Sequence, residues 1–153
     1  VSWDLPRLLS ATLLGWAASL HEIGLVIAHD NHHKHGEYIL ANGDLRGFSQ
    51  TDQHLLAALV RLHRGKFADS AWKGLPREWQ EPIQRLAVLL RLAVLLHRAR
   101  APGIRLPFTL STAKRGLEVR FPEGWLAKHP LTEADLAQEA DYLGASGWRL
   151  KYA

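Results

Sequence analysis

The stretch HEIGLVIAHDNHHKHGEYIL, residues 21–40, decides how the first part of the chain folds. It contains five of the nine histidines of the chain, all between His21 and His35. Apolar segments flank it, which predicts two packed helices joined by a histidine-rich loop over residues 29–34. A cluster of this kind has three explanations, namely a metal site, an anion site, or polar residues that cap helices. The rest of the sequence has to distinguish between them.

The residues before the cluster predict a helix. Asp4 and Pro6 are typical of a helix start, and apolar residues then recur every three or four positions until Gly24 ends the helix. His21 and Glu22 would then lie in its last turn. After the loop, a short helix is expected to run through Leu40.

Two further helices are predicted after the cluster. Ser49-Gln-Thr-Asp52 resembles a capping box, and the apolar pattern behind it predicts a helix that stops near Gly65. Irregular chain is expected over residues 66–76. A long helix then follows over residues 77–98.

The pattern changes from helical to alternating after Pro102. Apolar residues alternate over 106–110 and again over 117–121, around a turn at 113–116, which predicts a β-hairpin. Thr132-Glu-Ala-Asp135 predicts a capped helix to Leu143, and residues 148–152 predict a third strand. We therefore expect an α+β chain, with a mainly α-helical domain over residues 1–101 and a small β-β-α-β domain over residues 102–153.

The amino-acid composition of the chain excludes several classes of protein and of binding site. The chain has 153 residues and no cysteine, which excludes disulfides and thiolate metal sites and fits a cytoplasmic location. The apolar run over residues 86–96 is interrupted by Arg91 and is too short to span a bilayer, so no membrane association is expected. The start lacks the features of a signal peptide, and it lacks methionine, so we expect a piece of a longer protein.

The charge of the chain favours a polyanionic partner. The formal net charge is +4 and the isoelectric point is near 9.7. Arg91 lies inside an apolar run, where it either pairs with an acid such as Glu22 or Glu37 or faces a phosphate channel. Most of the six tryptophans fall in apolar patterns, with Trp72 and Trp79 expected to be exposed, so a nucleic-acid partner is not expected. The candidate phosphate-binding residues are Lys34, His35, Arg61, His63, Arg64, Lys66, Arg91 and Arg98.

Several motifs together resemble those of one family. They are His21-Glu22-x-Gly24, His35-x-x-Tyr38-Ile39-Leu40, Asn42-x-Asp44-Leu45-x-Gly47-Phe48, Leu59-Val60-Arg61-x-His63-Arg64, Arg120-Phe121-Pro122-x-x-Trp125 and Gly147-Trp148-Arg149-Leu150. They are similar to the carboxy-terminal region of the exopolyphosphatase/guanosine pentaphosphate phosphohydrolase (Ppx/GppA) family. His63 and the Gly-Trp-Arg ending look closer to exopolyphosphatase, and the guanosine pentaphosphate branch is the alternative.

This resemblance implies that separate domains of a longer protein carry out hydrolysis and polyphosphate binding. Hydrolysis of inorganic polyphosphate would take place in amino-terminal actin-like domains that this chain lacks, and Mg²⁺ is expected there. The chain itself would contain no catalytic residue and no cofactor and would be inactive alone. It would bind polyphosphate through the basic residues and would help to form a homodimer.

The resemblance also extends to HD-type helical domains, which implies a second alternative. An autonomous HD-type phosphohydrolase would use metal ions held by histidine and carboxylate ligands. His21 and Glu22 are the residues that match the adjacent His-Asp pair of that motif. The late aspartate is missing, because the corresponding run ends at Val94. The expectation is therefore that no metal is bound.

Overall fold

The computed structural model describes residues 3–98 and 107–153. These residues form two compact units, the first comprising Leu5–Leu92 and the second Ala93–Ala153 with Trp3 and Asp4. A mostly helical part is followed by a three-stranded sheet with one helix, which confirms the α+β prediction.

The helical unit is built from five helices and one 3₁₀ turn. They are α1 Arg7–Leu20, a 3₁₀ turn Ile23–Val26, α2 His32–Asn42, α3 Gln50–Leu62, the short α4 Ser70–Lys73 and α5 Arg77–Arg98, whose last turns belong to the second unit. Helix α3 is the centre, because α1, α2 and α4 all pack against it. Its residues from Leu55 to Val60 are all buried, so the neighbouring helices cover apolar surface on all sides of α3.

The predicted helices are present, with differences at their ends. Ser49 caps α3 as expected, since its hydroxyl accepts a hydrogen bond from the Asp52 amide at 3.0 Å. Helix α1 ends at Leu20, before Gly24. Helix α2 begins at His32, inside the expected loop, because Asn31 has a left-handed backbone (φ 57°) that starts the helix abruptly. The short α4 was missed, and Trp72 on it is buried against Phe67 rather than exposed.

The second unit contains the β-β-α-β arrangement that the sequence predicts. Strands β1 Thr109–Ala113 and β2 Gly116–Arg120 form the antiparallel hairpin, and β3 Arg149–Tyr152 pairs parallel to β2. Helix α6, Pro130–Gly144, makes the crossover between β2 and β3 and packs on β3. The predicted cap at Thr132 is wrong, because Pro130 already occupies the first helical turn, where its missing N–H costs nothing. Leu106, the first residue of the predicted hairpin, lies outside the described residues.

One segment of the helical unit has the length and composition of a membrane-spanning helix. It runs over Arg7–Val26 and joins α1 to the 3₁₀ turn. Leu13 and Ala17 within it are fully buried in the protein core. The core helix of a soluble protein passes the same test of length and composition, so the segment is weak evidence for a membrane.

Candidate functional site

The ends of α1, α2 and α3 bring four histidines together in the helical unit. His63, immediately after α3, lies at the centre of this histidine cluster, which consists of His21, His32, His33 and His63. Its ring centroid is 5.1 Å from that of His21, 5.3 Å from that of His32 and 6.4 Å from that of His33. The sequence predicts a cluster over residues 21–35, but His63 joins it from a different helix.

Two of these rings are oriented by the helix that carries them. The Nδ1–H group of His21 donates to the Ala18 carbonyl at 2.7 Å, and that of His63 donates to the Val60 carbonyl at 2.6 Å. Both carbonyls lie in the last turn of a helix, where they lack a partner within the helix. These histidines therefore cap α1 and α3, as one of the three explanations requires, and their Nε2 atoms carry no proton in the neutral form.

His32 has a different role, because an arginine donates to it. Nη1 of Arg64 lies 2.9 Å from Nδ1 of His32. A guanidinium group can only donate, so Nδ1 accepts and the proton of His32 resides on Nε2. The 3.1 Å approach of Nδ1 to the His29 carbonyl oxygen is then a contact without a shared proton. Burial lowers the pKa of His32, and the positive charge of Arg64 adds to this effect.

His33 lies among cations. Burial lowers the pKa of His33 to about 4, and the charges of Arg61, Arg64 and Lys34 contribute in the same direction. Its Nδ1 atom is buried and has no hydrogen-bond partner among residues 3–98 and 107–153. Three cations are therefore close enough to one neutral ring to shift its titration.

The cations around this ring differ in how they are compensated. Arg61 forms an ion pair with Glu37 at 2.9 Å, and both side chains are partly buried. Arg64 and Lys34 have no carboxylate within ion-pair distance in the described part of the chain. Uncompensated positive charge is thus concentrated on Lys34 and Arg64, which we call the cation pair.

Arg91 is buried and donates to backbone carbonyls at the end of α3. Its guanidinium is 2% exposed and donates to the Leu62 carbonyl at 2.6 Å and to the Gly65 carbonyl at 2.7 Å. It also lies over the Phe67 ring, 5.6 Å from the centroid. Arg91 therefore anchors the segment that carries His63 and Arg64. Glu37, one of the acids suggested as its partner, is the partner of Arg61.

The remaining candidate residues are distributed as follows. His35 is half-buried on α2, and Lys66 is exposed just after Gly65. Arg98 is exposed in the last turn of α5 and belongs to the second unit. The structure thus brings Lys34, Arg61, His63 and Arg64 around His33, whereas Arg91 lies beneath them.

The arrangement of histidine and carboxylate side chains does not favour the metal-site explanation. Among the described residues, no group of three or more histidine or carboxylate side chains has an arrangement that would hold a metal ion. The ring of His21 is engaged through Nδ1 with Ala18, and Glu22 is exposed. The described residues therefore do not fit a two-metal HD centre.

The buried histidines predict a loss of stability in acid. Burial lowers the pKa of His63 to about 3 in the folded chain, against about 6.5 when unfolded. Between these values only the unfolded chain binds the proton, so the free energy of unfolding falls as the pH drops below 6.5. At pH 5 the expected loss from His63 alone is about 2 kcal/mol.

Urea unfolding at pH 7 and pH 5 measures this loss. A His63→Asn variant should lose about 2 kcal/mol less than the unmodified chain between the two pH values. The control is His54→Asn, which changes an exposed histidine of α3. Equal losses in all three proteins would show that His63 titrates normally in the folded state.

Comparison with known proteins identifies the family. Residues 2–140 match the model of the Ppx/GppA phosphatase domain III. This chain belongs to the Ppx/GppA phosphatase family. The family resemblance drawn from the motifs is thereby confirmed, and the chain corresponds to domain III of such a protein.

Relatives of this Ppx/GppA chain include proteins that share one name. The chain is 34% identical over 149 residues to a guanosine-5'-triphosphate,3'-diphosphate pyrophosphatase of Pseudoalteromonas translucida, and the alignment covers 97% of the chain and 30% of that protein. A protein of the same name from Vibrio cholerae is 36% identical over 141 residues, covering 90% of the chain and 27% of that protein. The chain thus spans about 30% of the length of these relatives. They do not show the exopolyphosphatase branch that the motifs favoured.

All three cations of this site were candidates from the sequence, but His32 and Glu37 were not identified as their partners. His32 and Arg64 are 32 positions apart, and Glu37 and Arg61 are 24 positions apart. No local pattern links residues at such separations. The only available signal was that α2 and α3 both carry polar residues beside an apolar face.

Proposed function

We propose that this chain is the phosphate-binding domain III of a hydrolase that acts on guanosine 5'-triphosphate 3'-diphosphate. Hydrolysis takes place in parts of the protein that this chain does not contain, and the chain alone releases no phosphate. The observation that carries the proposal is Arg64, a cation held by a neutral histidine rather than by a carboxylate.

The chemistry of this pairing favours an anionic ligand. A carboxylate partner would neutralise Arg64, whereas His32 accepts one hydrogen bond and leaves the full positive charge in place. The remaining N–H groups of the guanidinium form a planar fork that fits phosphate oxygens. Lys34 adds a second exposed charge, and both cations act on the same ring of His33.

The choice of nucleotide over inorganic polyphosphate comes from the relatives. The proteins compared above are named as guanosine-5'-triphosphate,3'-diphosphate pyrophosphatases. Inorganic polyphosphate, the ligand expected from the motifs, offers the same phosphate oxygens to the cation pair. It therefore remains the second candidate ligand, supported by His63 and the Gly147-Trp148-Arg149 ending.

The other expectations of the sequence remain proposals for the whole protein. They are a homodimer, a cytoplasmic location, and Mg²⁺ in the catalytic domains rather than in this chain.

Calorimetric titration of the chain with guanosine 5'-triphosphate 3'-diphosphate, in chelator and at two salt concentrations, tests the proposal. We expect binding that weakens with salt, because each cation contact releases counterions from the polyphosphate groups. Arg64→Gln should weaken binding about tenfold, the effect of one charge-assisted hydrogen bond, and should reduce the salt slope by about one. Lys34→Gln, which changes an exposed side chain, should act in the same direction.

The matched control is Arg46→Gln. Arg46 is an exposed arginine of the same unit, 3.6 Å from Asp44, and its replacement removes the same charge. Equal weakening by Arg46→Gln and Arg64→Gln would indicate general charge attraction and contradict a site at the cation pair. Absence of binding at low salt would contradict the proposal altogether. Tighter binding of inorganic polyphosphate than of the nucleotide would favour the second candidate.

A further inference from the structure

Three aromatic rings of the second unit form a column that ends at the surface. Phe121, at the end of β2, stacks on Trp125 with a centroid distance of 4.6 Å and an angle of 8° between ring planes. The other face of Trp125 stacks on His129 at 3.7 Å and 10°. Phe121 is buried, Trp125 is half-buried and His129 is exposed. We call these three rings the aromatic column.

The parallel geometry of the column differs from that of the other aromatic pairs among residues 3–98 and 107–153. Aromatic pairs prefer offset-stacked or edge-to-face arrangements, and Trp3 and Trp148 adopt the edge-to-face arrangement at 90°. In the column three ring planes stay within 10° of their neighbour. The outermost residue, His129, is exposed, and Trp125 is its only ring contact among the described residues.

The outer ring is held in place before any ligand arrives. The Nδ1–H group of His129 donates to the Trp125 carbonyl at 2.7 Å, one helical turn back. This bond fixes the ring parallel to Trp125 and leaves Nε2 as an exposed acceptor. Lys128 precedes His129 and is exposed, so a positive charge adjoins the column in the sequence. A planar group that carries negative charge therefore suits this surface.

We propose that the aromatic column is a base-stacking subsite that takes the guanine ring of a phosphorylated nucleotide on the outer face of His129. The identity of the base rests on the function proposed above, whereas the stacking surface rests on the column alone. Stacking of a base on an aromatic side chain is tolerant of sequence and adds substantially to affinity. A stacking surface adds affinity for a ligand that contains a base and adds none for inorganic polyphosphate, which has no base.

Two variants and two ligands test this subsite. We expect His129→Ala to weaken binding of guanosine 5'-triphosphate 3'-diphosphate about tenfold and to leave binding of inorganic tripolyphosphate unchanged. His129→Phe keeps a flat ring and should retain most of the nucleotide affinity. The control, His54→Ala, removes an exposed histidine of α3 that lies outside the column, and it should change neither affinity.

The outcomes separate this inference from the proposed function. Nucleotide binding that is unaffected by His129→Ala overturns the subsite but leaves the cation pair intact. Equal loss for tripolyphosphate and nucleotide assigns His129 a phosphate or folding role and also overturns it. Tighter binding of a short single-stranded RNA than of the nucleotide, with the same sensitivity to His129→Ala, would assign the column to RNA instead.

Discussion

Replacing Gly24 with alanine is expected to destabilise the helical unit by at least about 3 kcal/mol. Gly24 is buried in the 3₁₀ turn, where the backbone passes directly over the start of α2. A Cβ atom at this position would overlap the His32 carbonyl oxygen and would lie 2.7 Å from the Gly36 amide nitrogen. Both atoms belong to a helix backbone, so neither can rotate away as a side chain would.

The substitution would also displace part of the histidine cluster. His32 and His33 form the first turn of α2, so a shift of this turn moves both rings relative to Arg64. Urea unfolding measures the change in the free energy of unfolding. Titration with the nucleotide, under conditions in which the variant is still folded, measures the effect on binding. A loss below 1 kcal/mol would mean that the turn and α2 can separate without cost.

Gly15→Ala is the matched control for this substitution. Gly15 lies in the middle of α1, exposed, and nothing lies within 4 Å of the Cβ that alanine would add. Alanine is the better helix former, so this variant should gain up to about 1 kcal/mol of stability. The same substitution is thus expected to change stability in opposite directions at two positions that are nine residues apart.

The fold was predictable where the signal is local. Alternating apolar residues fix the hairpin of β1 and β2, and a 3.6-residue period fixes α3 and α5. The starts of α2 and α6 were not predicted correctly. Helix α2 depends on the left-handed conformation of Asn31, and α6 begins at Pro130 although a better capping sequence follows. Several residues can supply such backbone geometry, so composition does not reveal which one does.

The candidate site was predictable as a set of residues but not as a set of pairs. Basic residues over 61–66 and histidines over 21–35 were visible in the sequence. Their partners depend on how α2 crosses α3, which sequence spacing does not specify. Arg61 rather than Arg91 pairs with Glu37 because α2 lies alongside α3. The sequence likewise placed Trp125 in a core or interface, and its parallel stacking on His129 appears only in the structure.

Arg91 shows how a buried charge can serve architecture rather than ligand binding. The Leu62 carbonyl lies in the last turn of α3, where no amide of the helix remains to donate to it. The guanidinium supplies this donor and also places a positive charge at the negative end of the helix dipole. Its second bond, to the Gly65 carbonyl, fixes the turn in which Gly65 has a left-handed backbone (φ 66°). Arg91 therefore holds both ends of the segment that contains His63 and Arg64.

Arg91→Leu is expected to lower the free energy of unfolding by about 4 kcal/mol. Leucine fills part of the volume but leaves the buried Leu62 carbonyl and the partly buried Gly65 carbonyl without this donor. A buried carbonyl without a donor costs about 1–3 kcal/mol, a partly buried one costs less, and the contact with the Phe67 ring is also lost. Arg91→Lys should recover only part of the loss, since an ammonium group lacks the planar fork that reaches both carbonyls.

Arg98→Leu provides the comparison for Arg91→Leu on the same helix. Arg98 lies seven positions later on α5 and is exposed, so its replacement should change stability by no more than about 0.5 kcal/mol.

Nucleotide affinity separates the structural role proposed for Arg91 from the ligand-binding role proposed for Arg64. Arg91→Leu should weaken binding only through the disorder of the segment that carries Arg64, so adding a stabilising osmolyte should restore much of the affinity. Arg64→Gln removes the contact itself, and its loss should persist in osmolyte. If osmolyte restores neither variant, Arg91 contributes to the ligand site directly.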